Sequence, residues 1–504
     1  MPHDQGSIPR LRRQGQATQL VVGDQPFLIL GGELGNSAAS SLAHLEAAWP
    51  RLRALGLNTV LLPVYWELME PEEERFDFAL VDGVLDGARR HGLRLVLLWF
   101  GSWKNSMSCY APAWIKADQR RFPRAARTGG RGTEQLTAFH AENLRVDARA
   151  FAALMRHLRA VDSAERTVLM VQVENEVGIV DEPADRCEAA RRAFEQPVPA
   201  ALLGGGRAPG TWAEVFGAGA HAEEIFTAWH LARYVDAVAA AGKAEYPLPM
   251  FVNAALNRAG RAPGEYPSGG PLPHLWDVWR AGAPTIDFLA PDIYFPDVAT
   301  WCRAYARPDN PLFVPEIALT GAAGPSAPVE AFYAFGAHEA IGFSPFAVDT
   351  ISEPAAAALA RSYEVLGQLA RLQGQGSCAG VLLDREAPAA EARLGGYVLS
   401  ARHDYTWEWS GTAREVFPWP RAAALMISVG TDELIIAGNG VIVTFGDPDI
   451  SAVVGIASAD EGRFDGTRFV AGRRLNGDET HQGRHVRLPC GAFGIQRVKL
   501  YRYR

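Results

Sequence analysis

Between about residue 26 and residue 373, the chain alternates short apolar runs with amphipathic stretches. Eight of the runs have the length and β-branched content of buried strands, and the stretches between them have the apolar spacing of helices. A strand followed by a helix and another strand is typical of a parallel α/β sheet, and eight such units predict a (β/α)₈ barrel with insertions. The predicted strands span residues 27–31, 59–64, 94–100, 168–173, 250–254, 288–294, 312–315 and 342–348.

Helices are predicted between these strands, and several end at a glycine before the next strand. Gly56 in LRALGLNTV and Gly92 in ARRHGLRLV have the position of C-cap residues, where a left-handed backbone favours glycine. The predicted helices span residues 41–55, 80–91, 147–161, 223–241, 329–340 and 354–372.

Two long insertions follow predicted strand ends. Residues 101–141 come after the third strand, and residues 179–221 come after the fourth. Loops that follow the strands of a barrel lie on its catalytic face. We therefore expect both insertions to shape a substrate pocket.

After about residue 374 the pattern changes to short alternating runs separated by Gly and Asp turns. This pattern predicts an all-β domain of the sandwich type. The chain thus divides into an N-terminal segment (1–25), a barrel (26–373) and a C-terminal domain (374–504). Trp407 and Trp409 of that domain fit either a polysaccharide-binding surface or, as we favour, the sandwich core. We expect the domain to pack on the barrel or to form an interface in a homo-oligomer.

Charge and cysteine content exclude several classes of function. The net charge is −8 and there is no long basic run, which argues against a nucleic-acid binder. The five cysteines are scattered without metal-site spacing, so neither a disulfide framework, a metal site nor a cofactor is predicted. No apolar run is long enough to predict membrane insertion. The N-terminus lacks the apolar region of a signal peptide, which predicts a cytoplasmic protein; a leader ahead of this start would instead predict a periplasmic or secreted one.

Two carboxylates stand at the ends of predicted barrel strands. Glu176 follows the fourth strand in VQVENEVG, and Glu316 ends the seventh in LFVPEIAL. The carboxyl ends of parallel barrel strands face one pocket, so these residues are expected to meet. Paired carboxylates are the minimum apparatus for cleaving a glycosidic bond: one donates a proton while the other, ionised, attacks or activates water.

These motifs resemble those of retaining glycoside hydrolases with the acid/base on strand four and the nucleophile on strand seven. GELGNS, GLNTVLLPVYWELMEPEEERFDF and GLRLVLLWFGSWKN are similar to the first three strands of family 35 and family 42 β-galactosidases. The resemblance covers roughly residues 26–373. It implies an enzyme that removes terminal β-linked galactose from a galactoside or oligosaccharide without a cofactor.

Carried over by position, the resemblance assigns roles to individual residues. Glu176 matches the acid/base, Asn175 its sugar-binding neighbour, and Glu316 the nucleophile of a covalent glycosyl-enzyme intermediate. Tyr294 in APDIYF matches a tyrosine that supports the nucleophile; the alternative is an aromatic residue that caps the barrel. Val177 stands where typical family 35 enzymes have tyrosine. A β-glucosidase or related exo-glycosidase therefore remains an alternative, as does a catalytically silent carbohydrate-binding barrel.

Three further acidic residues are candidates for the pocket. Glu33, at the mouth of the first strand, is expected either to recognise sugar or to pair with a loop arginine. Glu174 lies two residues before Glu176, so strand periodicity predicts that both point the same way. It would then raise the pKa of Glu176 or partner a base below the site. Asp349, after the eighth strand, would bind a sugar hydroxyl or cap the next helix.

Aromatic and amide residues at the ends of the second and third strands suit a saccharide pocket. The C–H face of a sugar packs on aromatic rings, while its hydroxyls need polar partners. The alternative for each aromatic residue is a place in the core. The predicted substrate-binding residues of this group are Tyr65, Trp66, Trp99 and Asn105, with Glu67, Trp103 and Lys104 beside them.

Overall fold

The computed structural model describes residues 8–15, 17–322, 324–372, 376–408, 411, 415–449 and 451–504. Eight parallel strands close into a barrel in which neighbours along the chain are neighbours in space, which confirms the predicted fold class. Strand 8 pairs with strand 1 through Gly342 and Ile29. Barrel strands 1 to 8 are Ile29–Glu33, Thr59–Tyr65, Arg94–Phe100, Val168–Val173, Met250–Ala255, Phe288–Ile293, Phe313–Ile317 and Gly342–Pro345.

Helices surround the barrel and fill the insertions. Gly56 and Gly92 have φ angles of 78° and 64°, as their predicted C-cap positions require. None of the helices in the described ranges has the length and apolar character needed to cross a membrane. The α-helices are Leu42–Ala54, Trp66–Met69, Ala79–Arg90, Ala113–Ala117, Ala141–Asp162, Glu188–Phe194, Trp212–Phe216, Ala220–Glu245, Trp276–Gly282, Val298–Tyr305, Ala327–His338 and Glu353–Leu369. Short 3₁₀ helices are Ala38–Ser40, Ala200–Leu202, Pro273–Leu275, Val348–Thr350, Asp404–Thr406 and Gly477–Thr480.

Three small antiparallel sheets lie outside the barrel sheet. One precedes it, one lies in the first insertion, and one follows strand 7. Their strands are Arg10–Gln14, Ala17–Val22 and Gln25–Pro26; Arg124–Ala126 and Gly132–Leu136; and Thr320–Gly321 and Gly324–Pro325.

The C-terminal part consists of a six-stranded and a four-stranded antiparallel sheet. Apolar side chains of both sheets form a shared core, as expected for a sandwich. Trp407 lies in the interior against His485, whereas Trp409 falls outside the described residues. The six strands, in spatial order, are Cys378–Leu383, Ala422–Gly430, Glu433–Asn439, Gly494–Tyr503, Val453–Asp465 and Arg468–Leu475. The four strands are Ala389–Leu394, Tyr397–His403, Val441–Gly446 and His485–Leu488.

The outer face of the six-stranded sheet packs against the barrel helix Ala327–His338. Gly336 on the helix and Gly380 on the sheet face each other so closely that a Cβ on either would meet the other backbone within 3 Å. The rings of Phe332 and Phe493 stack across the same contact. Apolar residues of both parts belong to one continuous core, so the sandwich is seated directly on the barrel.

Candidate active site

The fourth barrel strand ends at Val173, and the backbone then changes conformation. Glu174 and Glu176 have φ angles of 62° and 47°, in the left-handed region that non-glycine residues seldom adopt. Such backbone strain is concentrated at functional sites. Strand periodicity therefore does not extend past Val173, and the prediction that Glu174 and Glu176 point the same way is wrong.

Glu176 is held at both sides of its backbone. Its N–H donates to Asn253 Oδ1 at 2.9 Å, and its carbonyl accepts from the Ser106 hydroxyl at 2.6 Å. The side chain is almost fully buried. Burial and the nearby charge of Glu316 raise the pKa of Glu176 to about 7, against the lowering effect of Lys104.

Glu316, in barrel strand 7, is surrounded by hydrogen-bond donors. The Tyr294 hydroxyl donates to its Oε2 at 2.7 Å, and the amides of Asn175 and Asn253 make longer contacts to Oε1 at 3.4 and 3.5 Å. One carboxylate oxygen each of Glu176, Glu316 and Asp292 lies within 4.8 Å of the other two. The structure thus brings the two predicted carboxylates together.

Asp292 and Asn253 are site residues that the sequence reasoning missed. Asn253 donates to Asp292 Oδ2 at 2.6 Å while it also contacts the backbone of Glu176. Burial raises the pKa of Asp292 well above its usual range, and the charges of Glu316 and Glu176 add to this. The available signal was a polar residue inside an apolar barrel strand: Asp292 lies two residues before Tyr294, and Asn253 interrupts FVNAA.

Glu33 lies at the end of barrel strand 1 and is 0% exposed. The carboxyls of Glu33 and Glu316 lie side by side within hydrogen-bonding reach, and no N–H or O–H donor among the described residues reaches either oxygen of Glu33. Burial, followed by the charge of Glu316, raises the pKa of Glu33 well above its usual range. A buried polar group without a partner points to a ligand that supplies one. The predicted alternative, an ion pair with an arginine, is not formed.

Lys104 provides positive charge in this acidic pocket. Its Nζ donates to Asn175 Oδ1 at 2.7 Å and lies 4.7 Å from the centre of the Phe100 ring. The charge of Lys104 lowers the pKa of Glu33, Glu176 and Asp292 alike. It also orients the amide of Asn175 so that its nitrogen faces Glu316.

Glu174 lies between the barrel and its surrounding helices, next to Asp147 and Tyr234. Its Oε2 accepts the backbone N–H of Trp103 at 2.8 Å, and its carboxyl lies against that of Asp147. The partner is therefore an acid, not the predicted base, and burial followed by the Asp147 charge raises the pKa of Glu174 well above its usual range. A side chain at Gly101 would come within 2.6 Å of Glu174, so glycine is required for this close approach. Glu174 supports the loop that carries Lys104.

Two aromatic residues predicted to contact substrate lie in the core instead. Trp66 donates to Glu70 at 2.8 Å and Trp99 donates to Asp147 at 3.0 Å; both rings are fully buried and pack on each other. Successive strand residues point to opposite faces, and Trp99 points outward against Phe151 of a surrounding helix. Neither indole is available to a sugar.

The three other predicted contacts are positioned by loops. The Tyr65 hydroxyl donates to the Asn36 carbonyl at 2.8 Å. Asp349 Oδ1 accepts the N–H of Gly35 at 2.8 Å and so ties the turn after strand 8 to the turn after strand 1. The helix Glu353–Leu369 begins after Ser352, so Asp349 does not cap it. Asn105 has a left-handed φ of 55° in the turn next to Lys104. Substrate contact by these three residues stays a prediction.

The oxygen atoms of Glu176, Asp292 and Glu316 are near enough to one another to coordinate a cation. No other such cluster is found in the part of the chain that the structure describes. A cation there would engage both catalytic candidates at once, and acidic clusters of this kind also suit proton transfer.

Two family models match separate parts of the chain. Residues 43–205 match the Glyco_hydro_42 family, described as β-galactosidase, and residues 359–487 match a domain of unknown function (DUF5597). The first match includes barrel strands 2 to 4 and Glu176, and it ends before Glu316. It confirms the resemblance of this part of the barrel to family 42 β-galactosidases.

Individual relatives agree with this relationship. A β-galactosidase of Xanthomonas manihotis is 34% identical over 85 residues, which are 16% of this chain and 14% of that protein. β-Galactosidases from Bacillus circulans sp. alkalophilus and Rahnella sp. R3 share the fold, with TM-scores of 0.51 and 0.50 at 14% and 15% identity. Each of these two alignments covers 69% of this chain and 57% of the other. The chain therefore spans less than two-thirds of each relative.

Proposed function

We propose that this glycoside hydrolase removes terminal β-linked galactose with retention of anomeric configuration. Glu176 is the acid/base and Glu316 is the nucleophile. The observation that carries the proposal is the facing pair: their oxygens lie within 4.8 Å, yet their surroundings differ. Retaining enzymes hold the two carboxyl groups about 5–5.5 Å apart, whereas inverting enzymes leave about 6.5–9.5 Å for a water molecule.

Glu176 has the environment of a proton donor. With a pKa near 7, about half of its carboxyl groups hold a proton at neutral pH. The negative charge of Glu316 favours this proton before the bond breaks. After Glu316 has reacted, that charge is gone, so the pKa of Glu176 falls and the residue is ready to act as a base.

Glu316 has the environment of a nucleophile. The hydroxyl of Tyr294 and the amides of Asn175 and Asn253 orient its carboxylate toward the pocket. In the first step, Glu316 forms a bond to the anomeric carbon while the glycosidic oxygen departs with the proton of Glu176. In the second step, Glu176 removes a proton from water, which attacks the same carbon and releases Glu316.

Sugar recognition falls to the polar groups around the pair. Among the described residues no N–H or O–H donor reaches the oxygens of Glu33, so they are placed to accept sugar hydroxyls. The family match to β-galactosidases favours galactose over glucose. We assign Asp292 a positioning role, because it holds Asn253, which in turn holds the backbone of Glu176.

Variants of the two carboxylates test their roles. Glu176→Ala and Glu316→Ala should each lower turnover of a nitrophenyl β-galactoside, by about 10²–10⁴-fold for loss of the acid. Glu176→Ala should keep most of kcat/KM on dinitrophenyl galactoside, whose leaving group needs no proton, while kcat on this substrate falls because the second step has lost its base. Azide should rescue both variants: the β-azide forms with Glu176→Ala, whereas the α-azide forms with Glu316→Ala because azide enters from the vacated face.

Glu195→Ala, on the exposed surface, serves as the control and should keep native rates. The first galactose released by the native enzyme should be the β-anomer in a ¹H NMR time course. Release of the α-anomer would refute retention. If nitrophenyl β-glucoside were hydrolysed faster than the β-galactoside, glucose would replace galactose as the proposed sugar. Absence of turnover of any glycoside would refute the enzyme assignment.

A further inference from the structure

A cavity of about 370 Å³ lies between the barrel and the C-terminal domain, next to the ends of barrel strands 6 and 7. Tyr294, whose hydroxyl donates to Glu316, is one of its lining residues and is 44% exposed. The cavity lies within the size range of small-molecule sites, about 300–1,000 Å³. Tyr294 therefore connects the catalytic pocket to a second compartment.

Aromatic rings of both domains line this compartment. The barrel contributes Tyr294 and Phe295, which follow barrel strand 6, and the C-terminal domain contributes Trp419. The Trp419 ring packs on those of His403 and Tyr405, with centroids at 4.8 and 5.8 Å. Trp419 is partly exposed, so part of its surface can meet a ligand.

Charged groups complete the lining. Arg421 donates to the Pro296 carbonyl at 2.7 Å and pairs with Asp384 at 2.9 Å, which fastens the C-terminal segment to the barrel. Its Nε lies 3.8 Å from Glu330, a nearly fully buried carboxyl whose pKa burial raises to about 7. Glu386, on the exposed rim, adds a further carboxyl. The wall is thus built by both domains and held by an ion-pair network.

We infer that this compartment binds the aglycone, a neutral sugar unit attached to the galactose that is removed. The inference rests on the proposed function. An enzyme that takes the terminal sugar holds everything beyond the cleaved bond outside the catalytic pocket, and the compartment adjoins that pocket. Aromatic faces with carboxylate and guanidinium groups between them match the C–H faces and hydroxyls of a saccharide. The C-terminal domain therefore contributes to substrate selection.

Competition experiments distinguish binding in this second compartment from binding in the catalytic pocket. Hydrolysis of nitrophenyl β-galactoside is inhibited with galactose, which fills the catalytic pocket alone, and with lactose and the β-1,3-, β-1,4- and β-1,6-linked galactobioses. The disaccharides are competing substrates, so their inhibition constants are taken from initial rates, before they are consumed. We expect at least one disaccharide to have an inhibition constant about tenfold below that of galactose, the gain typical of one stacked ring. Trp419→Ala should remove this gain and leave inhibition by galactose unchanged.

Two further variants complete the experiment. Glu386→Gln, on the exposed rim, tests the compartment without disturbing packing and should weaken the disaccharide about threefold, the effect of one modest hydrogen bond. Tyr501→Ala removes an exposed aromatic residue of the same domain that is not part of the lining and should change nothing. If every disaccharide binds no better than galactose, or if both lining variants keep the gain, the inference is wrong. Absence of nitrophenyl galactoside hydrolysis by the native enzyme would instead refute the proposed function.

Discussion

The substitution Glu176→Gln should stabilise the protein at alkaline pH much more than at acid pH. The fold raises the pKa of Glu176 from 4.5 to about 7. Between these values the folded state keeps a proton that the unfolded chain releases. The stability that this proton contributes is complete below about pH 4.5 and is lost as the pH rises through about 7. Glutamine stays neutral, so the variant does not suffer the loss.

The size of the effect follows from the two pKa values. The difference between 4.5 and about 7, at about 1.4 kcal/mol for each pH unit, amounts to about 3 kcal/mol at pH 8.5. At pH 5.0, where only part of the unfolded chain's Glu176 is ionised, the difference in stability is about 1 kcal/mol. The gain in free energy of unfolding of Glu176→Gln over the native enzyme should therefore be about 2–3 kcal/mol larger at pH 8.5 than at pH 5.0, which corresponds to about 2–3 °C in Tm for a chain of 504 residues.

Thermal unfolding of both proteins between pH 5.0 and 8.5 measures this difference. Glu195→Gln, on the exposed surface, is the matched control and should show a difference that does not change with pH. The same pKa places the alkaline limb of kcat/KM of the native enzyme near pH 7. If the Tm difference between native enzyme and Glu176→Gln is the same at every pH, the fold does not hold a proton on Glu176 and the acid assignment fails.

Four other outcomes are expected. Tyr294→Phe removes the hydroxyl that donates to Glu316 and should lower kcat by about 10–100-fold. This factor corresponds to the loss of about 1.5–3 kcal/mol, which is typical of a hydrogen bond to a charged group, and an unchanged kcat would contradict it. Lys104→Met removes a charge that lowers the pKa of Glu176, so the alkaline limb of kcat/KM should move to higher pH; a move to lower pH would refute the sign. Trp66→Ala should lower the free energy of unfolding in urea by about 3–5 kcal/mol and leave KM unchanged. A rise in KM without a loss of stability would instead indicate that Trp66 contacts the substrate. Dialysis against EDTA should leave the rate of nitrophenyl galactoside hydrolysis unchanged; a loss restored by a divalent cation would assign a metal to the carboxylate cluster.

The strands were predictable because their signal is local. Residues buried on both faces form continuous apolar runs, and strands 3 and 4 begin and end at the predicted residues. Side-chain direction at the strand ends was not predictable in the same way. The left-handed backbone at Glu174 and Glu176 interrupts strand periodicity, so Glu174 lies against Asp147 of a surrounding helix and Glu176 lies beside Glu316.

The aromatic residues show the same limit. Trp66 and Trp99 have the residue type of a sugar platform, but the strand's alternation and a short helix direct both rings into the core. Trp419, in contrast, lies in a segment without a recognisable motif. It lines the cavity only because Arg421 binds that segment to the barrel.

The sequence by itself determined the barrel and the two carboxylates at the ends of strands 4 and 7, because the carboxyl ends of parallel strands must converge on one face. Only the tertiary structure decided what surrounds those carboxylates. Asp292, Asn253 and Lys104 come from three other parts of the chain, and no local pattern relates them to Glu176. Burial and the charges of distant residues set the pKa of Glu176, and these arise only when the barrel closes.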